Sequence, residues 1–284
     1  MKGVPEVEPD LDEQVEVVAT LPGAVGLPTI TGLPTGYTYG VTRYSDVILQ
    51  SAFPSRLANL VTTLSAFHPT LEELRAGGGG RTVFVARFDK SLHSQLDGGA
   101  HVWGKRNITI QKQIGFGDDL HEVARVRGHE IDMFGVANVE QSFPGIAVEM
   151  EWNNKDPFFD RDLNNFAALH REGAVAVGII VTRGPSLQRL ISGIIRSGDG
   201  GFKYGQSSTH WNKLVPRVNL GGGGEFPLLL IGIEPERVEG VSTLLDIRSD
   251  MEASDLQVRL ARELRDQAQA NRQTAGLVAK NSNT

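Results

Sequence analysis

Residues 145–182 constrain the architecture of this chain more than any other stretch. The segment opens with GIAVEMEW, in which Val148, Met150 and Trp152 alternate with Glu149 and Glu151, the period-two pattern of a strand. Asp156 and Pro157 then supply a capping residue and a proline suited to the first helical position. The following PFFDRDLNNFAALHRE places Phe159, Leu163 and Phe166 on one helical face, and Gly173 stands just past its end. AVAVGIIVT, residues 174–182, is an almost continuous apolar run, typical of a strand buried on both faces. Such a strand–helix–strand unit crosses over right-handedly and makes its two strands parallel. The glutamate strand is therefore predicted to be interior or nearly so, within an α/β fold.

The rest of the chain supplies elements to flank that unit. Helices are predicted over SRLANLVTTLSAF (55–67), over LEELR before a glycine stop, around ARFDKSLHSQL, and over PSLQRLISGIIRS. NITIQKQIGF (107–116) alternates as a strand, with Ile108, Ile110 and Ile114 on or near one face, and HEIDMFGV (129–136) and EFPLLLIGIEP (225–235) are further strands. SDLQVRLARELRDQAQA carries Ser254 and Gln257 at capping-box spacing, with Leu256, Leu260 and Leu264 on one face. This last helix reads as packed on the body, a subunit contact being the sharper alternative. Three regions follow: an acidic, then Pro/Gly-rich arm or tail over 1–40, parts of which can form an edge strand; a main domain over 41–250; and a C-terminal helix with a flexible tail over 251–284.

Composition narrows the chemistry. With no cysteine, disulfides and thiolate chemistry are excluded, and any metal must be held by histidine or oxygen. The net charge of −6 is misleading, because residues 3–42 hold six acids and no Lys or Arg; the remainder balances 28 bases against 28 acids. A neutral body can still gather its bases in a cleft. No apolar run approaches the roughly 18 residues of a membrane span, and the first residues lack a signal-peptide core, so a cytoplasmic (prokaryotic) protein with no membrane partner is expected.

Glu149 and Glu151 are about 6.5–7 Å apart along an extended strand, on one face. On HEIDMFG, Asp132 shares a face with Glu130. If these two strands pair as a hairpin across 136–145, Asp132 meets Glu149. Carboxylates brought together this way oppose one another's ionisation unless a cation neutralises them, and oxygen ligands favour Mg²⁺, with Mn²⁺ as a substitute. That arrangement suits hydrolysis of a phosphate ester. Two other readings stand beside it: an edge strand whose glutamate face is simply wet, and a glycosidase acid/base pair. The crossover opposes the first, and the absence of aromatic sugar subsites opposes the second.

The run VEMEWNNKDPFFDRDLNNFAALHREGAVAVGIIVTR, with YGQSSTHWNKLVPRVNLGGGGEFPLLLIGI downstream, resembles the BglII/BstYI group of type II restriction endonucleases, within the PD-(D/E)xK superfamily. The similarity spans roughly residues 80–235, including KRNITIQKQI and HEIDMF. It implies a restriction-endonuclease-like core, a mixed central β-sheet flanked by helices. It also implies a Mg²⁺-dependent homodimer that cuts double-stranded DNA at a short palindrome with a GATC-like core, with a cognate DNA methyltransferase as functional partner. By position, Asp132 resembles the motif aspartate and Glu149 the motif glutamate, both metal ligands. Glu151 stands where the superfamily usually has lysine, and is similar to the paired glutamates of the BamHI enzyme; its role is general base or second-metal ligand. Lys155 lies too far beyond the strand to take that lysine's place and is grouped with the DNA contacts.

Base reading is assigned to residues beside the acidic strand. Asparagine can pair with adenine N6 and N7, so Asn153 and Asn154 are candidate readers, against the alternative that they only turn the chain. In KYGQSSTHWNK, the side chains of Gln206, Ser207, Ser208, Thr209 and His210 offer hydrogen bonds to bases, and Lys203 and Lys213 offer charge to phosphates. Lys105, Arg106 and Lys112 are further phosphate candidates, each singly better read as solvated surface. Trp211 is assigned to the core. Two rival functions remain: a repair or structure-specific nuclease of the same superfamily, and a DNA-binding protein that no longer cleaves.

Overall fold

The computed structural model describes residues 24–76, 81–196 and 202–281, without the side chains of 127–129, 261, 264–266 and 268–281. The contacts divide the chain into a body ending at Glu239 and a second unit starting at Gly240. In order, the body contains β1 (Tyr37–Val41), α1 (Ser45–Ala52), α2 (Pro54–Ala66), α3 (Leu71–Arg75), α4 (Val83–His93), β2 (Leu96–Asp97), β3 (Ala100–His101), β4 (Trp103–Phe116) and β5 (Asp119–Gly135). It continues with β6 (Gly145–Met150), α5 (Pro157–Arg171), β7 (Val175–Arg183), α6 (Pro185–Ile191), α7 (Trp211–Asn219) and β8 (Leu228–Ile233). The second unit is α8 (Ser242–Asn281), whose Leu256 and Leu260 are exposed. Ser254 lies in the interior of this helix and so caps nothing, because the helix begins a dozen residues earlier than the capping-box pattern suggests.

The main sheet has six strands in the order β1-β8-β7-β6-β5-β4. β6 runs parallel to β7, in register Glu149↔Ile180, and β7 parallel to β8, as the crossover unit requires. β1 is an antiparallel edge strand on β8, and β5 pairs antiparallel with both β6 and β4. This is the expected mixed sheet flanked by helices, with β6 interior. The acidic strand is not a wet edge: all six of its residues are buried.

The crossover helix explains why that strand stays covered. Phe159, Leu163, Phe166 and Leu169 are fully buried along one stripe of α5, within a cluster that also contains Ala147 of β6, Ile180 of β7 and Phe226. Each such side chain contributes about 1.5–3 kcal/mol on burial. The helix lies so close to the sheet that a Cβ on Gly178 would come 2.4 Å from Phe226 and 2.6 Å from Phe166. Gly173 ends the helix turn with φ +71°, a conformation that suits glycine. Asp156 and Pro157 stand at the N-cap and the helix start as predicted, but the Asp156 side chain makes no capping hydrogen bond; its Oδ2 accepts from Arg217 Nη2 at 2.9 Å, which ties α5 to α7.

Two further elements run differently from the sequence reading. α6 stops at Ile191, and β5 extends ten residues upstream of the predicted strand. Paired with β4 as far as Phe116↔Asp119, it forms a long hairpin, and every residue from Gln111 to Phe116 is exposed. Ile108 is buried at its base, but Ile114 is exposed at 67%, so the alternation seen in the sequence does not mark a buried face there.

Candidate active site

Asp132 and Glu149 meet through the β5–β6 ladder. The register Met133↔Val148 puts them side by side, and the Asp132 N–H donates to Glu149 Oε1 at 3.1 Å. Ile131 and Met133, which alternate with Asp132, point into the core. Glu149 is only 5% exposed, and burial pushes its carboxyl up to about 9, helped by the charges of Asp132 and Asp162. Glu151 is also buried, just past the end of β6, where its N–H donates to Val181 O. Both glutamates, with Asp132 and Glu130, line a cleft of about 760 Å³. The bases Arg81, Lys105, Arg161 and Lys203 line the same cleft. The cleft thus sets four bases against four acids, and Lys105 and Arg161 are already paired with acids of the cleft wall.

Two further residues belong to this site and were not singled out from the sequence. Arg161 on α5 places Nη2 3.2 Å from Glu151 Oε1 and 2.7 Å from Asp162 Oδ1. Asp162 is 3% exposed, and burial and the neighbouring Glu151 push it up to about 8. The signal was available: Asp162 falls on the apolar stripe of α5, three residues after Phe159 and next to Leu163, and an acid on a buried stripe needs a partner.

The two segments assigned to base reading lie together. Lys155 and Ser208 form an antiparallel bridge, Thr209 N donates to Asn154 O at 2.9 Å, and Asp156 N donates to Ser207 O at 3.0 Å. Asn153, Asn154, Lys155, Gln206 and Ser207 are exposed; Ser208 and Lys213 are half-buried. Asn154 also touches the site, its Nδ2 donating to Glu151 Oε2 at 2.6 Å.

Three of the assigned contacts are placed otherwise. Lys203, though it lines the cleft, is buried and spends its ammonium on the carbonyls of Leu74 (2.9 Å) and Ala76 (2.6 Å). Thr209 and His210 are fully buried, which withdraws their side chains from any base edge. Burial and the Arg183 guanidinium pull His210 down to about 4, so it is neutral near pH 7. These residues shape the loop rather than its outer face: Arg183 at the end of β7 donates to Thr209 O and to Ser208 Oγ. Of the phosphate candidates, Lys105 pairs with Glu130 at 2.7 Å and Lys112 with Glu172 at 2.6 Å. Trp211 packs against the core as assigned.

Among the described residues, no three acidic or histidine side chains already close around one ion position. The donor set nevertheless suits a hard cation: all the acidic donors are oxygens, and Glu149 and Glu151 are buried, with Asp132 half-buried beside Glu149. A mixed sheet carrying acids on adjacent strands beneath a helix-covered crossover is a restriction-endonuclease-like core. The family described as "Restriction endonuclease BglII/BglIII" matches residues 37–233, and the chain belongs to it. Membership implies a site-specific nuclease with DNA as its substrate. None of the curated proteins compared is significantly similar to the chain. Among the described residues, no helix is long and apolar enough to cross a membrane.

Proposed function

We propose that the protein is a type II restriction endonuclease, a homodimer that makes Mg²⁺-dependent double-strand cuts at a short palindrome with a GATC-like core, Mn²⁺ substituting. A cognate DNA methyltransferase would protect the host sequence. The observation that carries this reading is the set Asp132, Glu149 and Glu151, brought by β5 and β6 to one wall of a cleft that also presents bases. Asp132 and Glu149 would hold the metal, which supplies an activated water and shields charge on the phosphate undergoing attack. Glu151 is placed to accept a proton or to ligate a second ion. Asn154 steadies Glu151 through its 2.6 Å bond. The exposed Asn153, Gln206 and Ser207 form the face offered to bases, with Lys155 and Lys213 for phosphates.

The test is digestion of unmethylated phage DNA with Mg²⁺, followed by sequencing of the ends. Discrete fragments with 5′-phosphate and 3′-hydroxyl ends at one palindrome are expected. A continuous smear would point to a repair or structure-specific nuclease, and binding without cutting to a protein that has lost catalysis. Glu149→Ala should abolish cleavage while leaving DNA binding largely intact; cutting at the wild-type rate would refute the site assignment.

A further inference from the structure

Helix α8 carries large apolar side chains in the open. All residues from 251 to 260 are exposed, Leu256 at 57%, Val258 at 67% and Leu260 at 49%. Leu256 and Leu260 stand one turn apart on a single face. Most helical stability in proteins comes from packing such a face, and among the described residues this stretch packs against nothing. The charges of α8 are also sorted along its length. Residues 242–261 hold four acids (Asp246, Asp250, Glu252 and Asp255) and two bases, whereas residues 262–281 hold four bases and two acids. The helix macrodipole does not account for this order, because it acts within the terminal turns and the first turn of α8 holds no acid.

We propose that α8 pairs antiparallel with α8 of a second copy of this chain, about a two-fold axis near Leu260. This rests on reading the protein as a homodimer and names a surface for it. Family membership does not supply that surface, since the match ends at residue 233 and α8 begins at Ser242. Antiparallel pairing lays the acidic half of each helix along the basic half of the other, once on each side of the axis; parallel pairing would set like halves together. The same axis brings the face of Leu256 and Leu260 onto its own equivalent. The 40 residues of α8 span about 60 Å. A strip roughly 10 Å wide along that length buries about 1,200 Å² over the two copies, the lower end of specific interfaces. DNA is a poorer occupant, because the six acids of α8 cancel its six bases.

The test exploits the absence of native cysteine. Ser249→Cys and Asn271→Cys, equidistant from Leu260, are made separately in the full chain and oxidised without DNA at micromolar concentration, each alone and as an equimolar mixture. In the antiparallel pair residue 249 of one copy lies beside residue 271 of the other, and about 33 Å from its own equivalent, too far for a disulfide. The mixture should therefore yield disulfide-linked dimer at least about fivefold above either variant alone. Adding Leu256→Glu and Leu260→Glu to both chains should cut that yield at least about fivefold, by burying four unpaired charges in the contact. Melting curves check that the body of each variant stays folded. Cross-linking of either variant with itself, equal yields from the mixture and the single variants, or a yield indifferent to the glutamates overturns the proposal. Cutting at a palindrome by a protein without this cross-link would refute the α8 pairing alone and leave the nuclease reading standing. The cross-link in a protein that cuts no DNA would do the reverse.

Discussion

Replacing Glu149 with glutamine should stabilise the metal-free protein, and the gain should grow with pH. Glu149 is pushed up from its ordinary value of 4.5 to about 9, chiefly by burial. Between those values the native protein keeps a proton that the unfolded chain releases. Unfolding then sheds a proton, so stability falls as pH rises, by about 1.4 kcal/mol per pH unit. Below the ordinary value both states are protonated and the penalty vanishes; near the native value it is complete. Glutamine has the same shape, does not ionise, and retains an oxygen for the Asp132 N–H. From about pH 5.5 to about pH 7.5 the advantage of Glu149→Gln should therefore increase by roughly 3 kcal/mol. For a domain of this size that is roughly 6–12 °C in Tm. Thermal unfolding in EDTA at the two pH values measures it. A variant less stable than wild type at the higher pH, or a gain that does not change with pH, would show that burial is not what holds Glu149 neutral.

Other consequences follow from the packing and the loop. Phe166→Ala, in the fully buried stripe of α5, should cost about 3–5 kcal/mol in urea unfolding. Gly178→Ala should cost about 1–3 kcal/mol by the same measurement, since the new methyl group meets two aromatic rings. Lys203→Met should destabilise the fold by roughly 1–3 kcal/mol, through the carbonyls it abandons, yet leave the salt dependence of DNA binding unchanged. Lys155→Ala should do the opposite, lowering the slope of log affinity against log salt by about one with little effect on stability.

What could be read from the sequence was whatever is written in a short period. The crossover unit was legible because β6 alternates, α5 buries one regular stripe and β7 is an almost unbroken apolar run, and the meeting of Asp132 with Glu149 followed from alternation on two adjacent strands. The distal part of the β4–β5 hairpin was not legible, since a strand exposed on both faces has no buried face to encode; Val123 and Val126 of β5 are exposed there. Asp162 was legible by its place on the buried stripe of α5 and was passed over because acids near a helix start usually face water; Arg161, off that stripe, carried no signal of its own. Lys203, Thr209 and His210 mislead in the same direction: polar residues in a loop suggest solvent, but Arg183 and the carbonyls of Leu74 and Ala76 draw that loop into the body.

The pairing of residues 154–156 with 207–209 bears on how such a protein changes over evolutionary time. The bonds that join the two segments run between backbone N–H and C=O groups, and these are indifferent to which side chains the segments carry. Asn153, Gln206 and Ser207 can therefore be exchanged while their frame keeps its distance from Glu149 and Glu151. Substitutions there need not be matched by compensating changes in the acids. Under the proposed reading of these residues as the base-contacting face, a lineage could drift from one target to another by single steps, each intermediate still holding its carboxylates in place.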